Sequence, residues 1–160
     1  MNGNLVGKIN ESLLTAEGLY HRLVLLVGES GSGKTEALRS LADELDTGMI
    51  NVNLELSSAL LEMTERQRVL HVPQLLEAIV DTAKSPVLLD NLEILFDCTL
   101  KQDPLRLLQG ISRNKLVVAS WNGSSEKGKL FYAELGHPEY RHYDAVDILR
   151  VSMDGTASID

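Results

Sequence analysis

Apolar positions along this chain alternate between short continuous runs and stripes of helical period. Over residues 4–20, Leu5, Ile9, Leu13, Ala16 and Leu19 recur at helical spacing, which predicts a leading amphipathic helix weakened by Gly7 and Gly18. The run from residue 23 to 27 (LVLLV) predicts a buried strand. Residues 34–45 follow as a helix burying Ala37, Leu38, Leu41, Ala42 and Leu45, with Gly48 closing the unit. Ile50, Val52 and Leu54 alternate, so residues 49–54 read as a second strand, followed by a short helix over 57–62 and a charged connection at 64–68. Pro73 suits the first turn of a helix reaching about residue 83, with Leu75, Leu76, Ile79 and Val80 as its stripe. Residues 87–90 form an apolar run ending in a carboxylate, and Asp103-Pro104 starts a helix to about residue 112. Residues 116–119 predict another buried strand, closed by residues 120–123. Two shorter strands are expected at 129–133 and 146–151, with a turn at residues 137–140.

Strands alternating with helices predict one α/β domain over residues 1–151, its mostly parallel sheet covered by helices on both faces, and a flexible tail at 152–160. Composition agrees: 160 residues, 44% apolar, with aromatics at 4%, leave a core built from Leu, Val and Ile. No apolar run approaches the roughly 20 residues of a membrane span, and the first residues lack the basic start and apolar block of a signal peptide. The single Cys98 fits a reducing, cytoplasmic setting. A net charge of −8 disfavours direct DNA binding by the isolated domain, although Lys101, Arg106, Arg113 and Lys115 leave room for a local basic patch.

Residues 28–35, Gly28-Glu29-Ser30-Gly31-Ser32-Gly33-Lys34-Thr35, add chemistry to this frame. They read GxxxxGKT between a predicted strand and a predicted helix, the context in which a phosphate-binding P-loop forms. The competing reading is a Gly/Ser-rich surface turn with an incidental Lys-Thr. In a P-loop, successive N–H groups and the positive end of the helix dipole converge on a triphosphate. Lys34 would reach its β- and γ-phosphates, and the Thr35 hydroxyl would ligate Mg²⁺. The expected architecture is therefore the three-layer P-loop NTPase sandwich, with ATP and Mg²⁺ as cofactors.

In open α/β sheets ligands bind beyond the carboxyl ends of the strands, where the loop, Asp90 and Asn122 all fall. Asp90 suits the second metal anchor, the Walker B carboxylate; an ordinary strand-end Asp is the alternative. Many P-loop ATPases place Glu directly after that Asp, and here the position is Asn91. Asn can orient a water but cannot take its proton. Glu93 can serve as base if the chain turns sharply after Asp90; otherwise it is a solvent-facing residue. Asn122 is either a sensor of the γ-phosphate, with Ser120 as substitute, or half of an ordinary Asn-Gly turn. Arg66, Arg68, Arg106, Arg113 and Arg141 are candidates for a transition-state cation, in this subunit or a neighbour. The four histidines show no convincing metal-ligand spacing.

Further phrases add to the P-loop: NVNLELS at 51–57, LEMTERQR at 61–68, LLDNLEILFD at 88–97, LKQDPLRLLQGISRN at 100–114, VVASWNG at 117–123 and GHPEYR at 136–141. In this order they resemble BrxF, the family of small P-loop proteins of type 3 BREX (bacteriophage exclusion) systems, over roughly residues 5–150. The resemblance implies a cytoplasmic bacterial component of phage defence, working with other BREX proteins; self-association into a homo-oligomer is expected alongside it. It implies Walker A at Gly28, Gly33, Lys34 and Thr35 and Walker B at Asp90, on an AAA+-like core without a C-terminal helical lid domain. Three activities are then in play. They are a slow or partner-stimulated ATPase, a non-hydrolysing switch set by ATP or ADP occupancy, and a small-molecule kinase, for which an Arg-rich lid segment is lacking.

Overall fold

A computed structural model describes residues 2–133, 140–144, 148–154 and 157–158. Its centre is a sheet in the order β2-β3-β4-β1-β7-β8. The strands are β1 (Leu23–Gly28), β2 (Met49–Asn51), β3 (Val87–Asp90), β4 (Val117–Glu126), β7 (Leu149–Ser152) and β8 (Ala157–Ser158). All pairings from β2 to β7 are parallel, and β8 runs antiparallel along the edge. β4 lies between β1 and β3, so the strand bearing the P-loop and the strand bearing Asp90 are separated by one.

Alternation along β1 divides the core in two. Val24 and Leu26 face α1 (Asn2–Ala16) and α2 (Lys34–Leu45), packing with Ile9, Leu13, Leu38 and Leu41. Leu23, Leu25 and Val27 face the other layer, α3 (Val52–Leu60), α4 (Glu65–Asp81) and α5 (Pro104–Ile111), packing with Leu56, Leu76, Leu108 and Trp121. Helices on both faces of a parallel sheet make the three-layer α/β sandwich of P-loop NTPases.

Several boundaries differ from the sequence-based expectation, each for a local reason. α1 stops at Ala16, although Leu19 beyond it still packs on the core. α2 ends as expected, but the left-handed residue that closes it is Asp46 (φ 51°), two positions before Gly48. The second strand is three residues long, because the Asn51 side chain accepts a hydrogen bond from Leu54 N (3.1 Å) and caps a helix there. Val52, Leu56 and Leu60 are consequently buried at helical spacing while Leu54 is 63% exposed.

The charged segment at 64–68 is the first turn of α4 rather than a connection. Thr64 and Gln67 form a reciprocal capping box, each side chain bonding the other's backbone N–H. Pro73 therefore sits inside α4, where it cannot donate to the carbonyl of Val69. That carbonyl instead accepts the Gln102 side-chain amide at 2.9 Å, which compensates the loss.

β4 runs on from the expected strand at 116–119 through the expected closing residues 120–123 to Glu126, and turns back at Lys127 and Gly128, both with positive φ. Its outer half pairs antiparallel with β5 (Lys129–Tyr132), which pairs with β6 (Arg141–Asp144), a strand not expected from the sequence. Phe96, Trp121, Tyr132 and Tyr143 join this extension to the core through stacked and edge-on ring contacts. In the segment expected to fray, Ser152 belongs to β7 and Ala157–Ser158 pair with it. The turn expected at residues 137–139 and the start of the strand expected from 146 lie outside the described residues.

Candidate functional site: a P-loop cleft at the carboxyl edge of the sheet

Between β1 and α2 the chain turns through Gly31 (φ 81°) and Gly33 (φ 100°), left-handed conformations that a Cβ disfavours. Gly33 O accepts Ala37 N (3.0 Å) and opens the first turn of α2, whose earlier N–H groups are left for a ligand. Lys34 is buried, and its Nζ donates to the carbonyls of Gly28 (2.8 Å) and Glu29 (2.7 Å). Burial pushes its pKa below the ordinary lysine value, against the opposing pull of Asp90, Glu93 and Glu29.

Asp90 ends β3 as a buried carboxylate held from two sides. Thr35 Oγ1 donates to its Oδ2 at 2.6 Å and Ser120 Oγ to its Oδ1 at 2.8 Å. Thr35 leaves the P-loop at the start of α2, and Ser120 comes from β4. A hydroxyl and a carboxylate oxygen at hydrogen-bond distance beside a phosphate loop are a hard oxygen donor pair, and Mg²⁺ takes such pairs while keeping several waters.

After Asp90 the chain does turn sharply: Asn91 has φ 54° and a 3-10 turn begins at Glu93. The turn brings the Glu93 carboxylate back toward β4, where Asn122 Nδ2 donates to Oε1 at 2.6 Å. Asn53, in the first turn of α3, donates through Nδ2 to Oε2 at 3.2 Å. The same Asn53 accepts Ile94 N through Oδ1 (2.7 Å) and donates its backbone N–H to Asn91 O (2.9 Å), pinning the turn that carries Glu93. Both carboxylate oxygens are thus held by amides from different elements.

A cleft of about 260 Å³ is bounded by Ser30, Gly31, Gly33, Lys34, Thr35, Glu36, Asp90, Asn91, Glu93 and Asn122. Four elements of the sequence reading, the P-loop, Asp90, the Asn91–Glu93 turn and Asn122, therefore meet in one place. Gly28, Glu29 and Ser32 belong to the loop but not to the wall of the cleft. Ser120, read as a substitute sensor, bonds Asp90 instead. Glu36 in the wall and Asn53 behind Glu93 were not anticipated. A side-chain amide just past the end of the strand beside the Asp90 strand is the signal for Asn53, hidden because residues 49–54 read as one strand.

The remaining candidates lie elsewhere. None of the five arginines lines the cleft. Arg68 donates to Met63 O, Arg141 to Gln102 O, and Arg113 covers the Tyr20 ring. Lys115 Nζ donates to the carbonyls of Val80, Asp81 and Ala83, at and just past the C-terminus of α4. Cys98 is exposed and is not part of the cleft wall. Among the described residues no helix is long and apolar enough to cross a membrane.

Comparison with known proteins bears on this geometry at the level of family. No curated protein and no solved structure matches the chain. A model of the ATPase family associated with various cellular activities (AAA) matches residues 24–109, more than half of the chain, from β1 through most of α5. With a P-loop, a carboxylate-ended β3 and β4 between them, the chain belongs to the AAA ATPase family.

Proposed function

We propose that this chain binds ATP with Mg²⁺ and hydrolyses it slowly, as a self-associating subunit of a bacterial, cytoplasmic BREX phage-defence complex. One observation carries the chemical part: Thr35 and Asp90 are paired at one end of the P-loop cleft while Glu93 is held at its rim by Asn122 and Asn53. Lys34 would leave the Gly28 and Glu29 carbonyls for phosphate oxygens, and Thr35 and Asp90 would hold Mg²⁺, which supplies charge neutralisation at the transferred phosphoryl group. Glu93 is the base that accepts the proton of the attacking water, and Asn122 orients that water or the γ-phosphate. Asn91 stands where many P-loop ATPases carry the base, so Glu93 must act from the turn that follows it. Slow hydrolysis by the isolated chain follows. Among the described residues no arginine lines the cleft, and a transition-state cation lent by a neighbouring subunit or partner is part of this reading. The BREX assignment rests on the ordered phrases between residues 51 and 141 that resemble BrxF.

The second reading is a non-hydrolysing switch whose ATP or ADP occupancy sets partner binding. Asn91 directly after Asp90, and the double hold on Glu93, favour it. Phosphate release measured over a protein concentration series, alone and with the BREX proteins, separates the two. Release rising more than linearly with concentration supports an ATPase completed between subunits. Release no faster than that of Lys34→Ala under every condition leaves the switch.

A further inference from the structure

The turn after β7 reaches back behind the phosphate loop. Met153 N donates to Val27 O at 3.0 Å, extending the pairing of β7 with β1 by one residue. This fixes where its side chain goes. A Cβ built on Gly28 would lie 2.6 Å from Met153 Cγ, and one on Gly33 would lie 3.5 Å from Met153 Cε. One thioether side chain thus lies against the first and the last glycine of the loop. It also packs on the core cluster shared by α1 and α2. Residues 29–33 between the two contacts are exposed, and Met153 is not part of the cleft wall. Its contact is with the back of the loop, away from the ligand side.

A P-loop works by holding its N–H groups in a convergent arrangement before the phosphates arrive. Glycines make that arrangement accessible but do not hold it, because they leave the loop more conformational freedom than any other residue. Something must restrict them. We propose that Met153 is a positioning residue for the nucleotide: it braces the loop from behind, so that the grip on the triphosphate depends on the turn after β7. A long, unbranched, polarisable side chain suits the role, since it fills the irregular space between two glycines without demanding a polar partner. The brace lies outside residues 24–109, the part of the chain shared with the AAA model. The proposal rests on the nucleotide-binding reading given above.

The test combines ATP titration with amide hydrogen exchange of residues 30–34 in the ligand-free full chain. Met153→Ala should speed exchange of the loop and weaken ATP binding about tenfold, whereas Met153→Leu, which keeps most of the volume, should stay within about twofold of wild type. Met153→Val keeps bulk near the backbone but loses the atoms that reach Gly33; it should resemble Ala, and it serves if the Ala variant does not fold. Wild-type loop exchange and ATP affinity in Met153→Ala and Met153→Val, even with a lowered melting temperature, would overturn the brace. If the wild-type chain takes up no ATP, the nucleotide reading fails instead, and the exchange data still decide whether Met153 restrains the loop.

Discussion

Asn122 on β4 and Glu93 in the turn after β3 are joined by a 2.6 Å hydrogen bond across the mouth of the P-loop cleft. With Asn53 on the other carboxylate oxygen, Glu93 is held in place from two sides while still lining the cleft. A base positioned in this way is sensitive to charge and little else. Glu93→Gln should bind ATP within about threefold of wild type and lose 10²- to 10⁴-fold, as a rough range, in hydrolysis. Titration calorimetry and single-turnover phosphate release read the two quantities, and undiminished turnover would move the base elsewhere.

Asn91 occupies the position where many P-loop ATPases carry the base, yet its backbone is left-handed at φ 54°. Asn tolerates that conformation better than Glu, for which it costs roughly 1–2 kcal/mol. Asn91→Glu should therefore lower stability in urea without raising the rate of phosphate release. A faster enzyme would show that Glu93 is not the acting base.

Lys34 should contribute a charge-assisted contact to the triphosphate, and Lys34→Ala should weaken ATP binding at least about tenfold. Its pKa is lowered by burial, so the ligand-free chain carries fewer protons than its unfolded form as pH approaches the ordinary lysine value of 10.5. Fold stability from this group then rises with pH in that window. ATP affinity moves the opposite way, because the neutral amine loses its attraction for phosphate. A pH titration of ATP affinity should fall in wild type before the ordinary lysine range and stay flat in Lys34→Ala.

Asp90 is held by Thr35 and Ser120 but offers its carboxylate to the cleft. Asp90→Ala should chiefly remove the dependence of ATP binding on Mg²⁺, seen by titrating with and without a chelator. Equal metal sensitivity in the variant would contradict the anchor role.

Tyr143 tests the antiparallel extension that begins just past Asn122. Burial, with the Asp103 carboxylate that accepts its hydroxyl at 3.1 Å, pushes its pKa from 10.0 up to about 12. The folded chain then holds a proton that the unfolded chain has released, so the stability it confers is complete below pH 10.0 and lost as pH rises toward 12. Tyr143→Phe should flatten the stability profile over that window in chemical denaturation, relative to wild type.

The P-loop, β3 and its terminal Asp90, the starts of α2 and α5, and the α/β class were all readable along the chain. Their signals are local: a continuous apolar run, a glycine pattern, an Asp-Pro helix start. Segments that failed were those where two local signals compete. Residues 49–54 alternate like a strand, but the cap formed by Asn51 turns the last three of them into the start of α3. Pro73 looks like a helix start, yet the capping box at Thr64 begins α4 earlier and Gln102 takes up the carbonyl that proline leaves free. Asn122-Gly123 looks like a turn, yet β5 pairs with Gly123 and the three residues after it.

Identity at each position of the site, Lys34, Thr35, Asp90, Glu93 and Asn122, is a property of the linear chain, and so is the strand-end placement that makes each a candidate. Their roles relative to one another are not. That Ser120 serves Asp90, that Glu93 faces inward between Asn53 and Asn122, and that Met153 backs the loop depend on strand order and on one left-handed residue, Asn91. Backbone pairing between distant segments sets those distances to within an ångström, and spacing along the chain carries no record of which strands become neighbours.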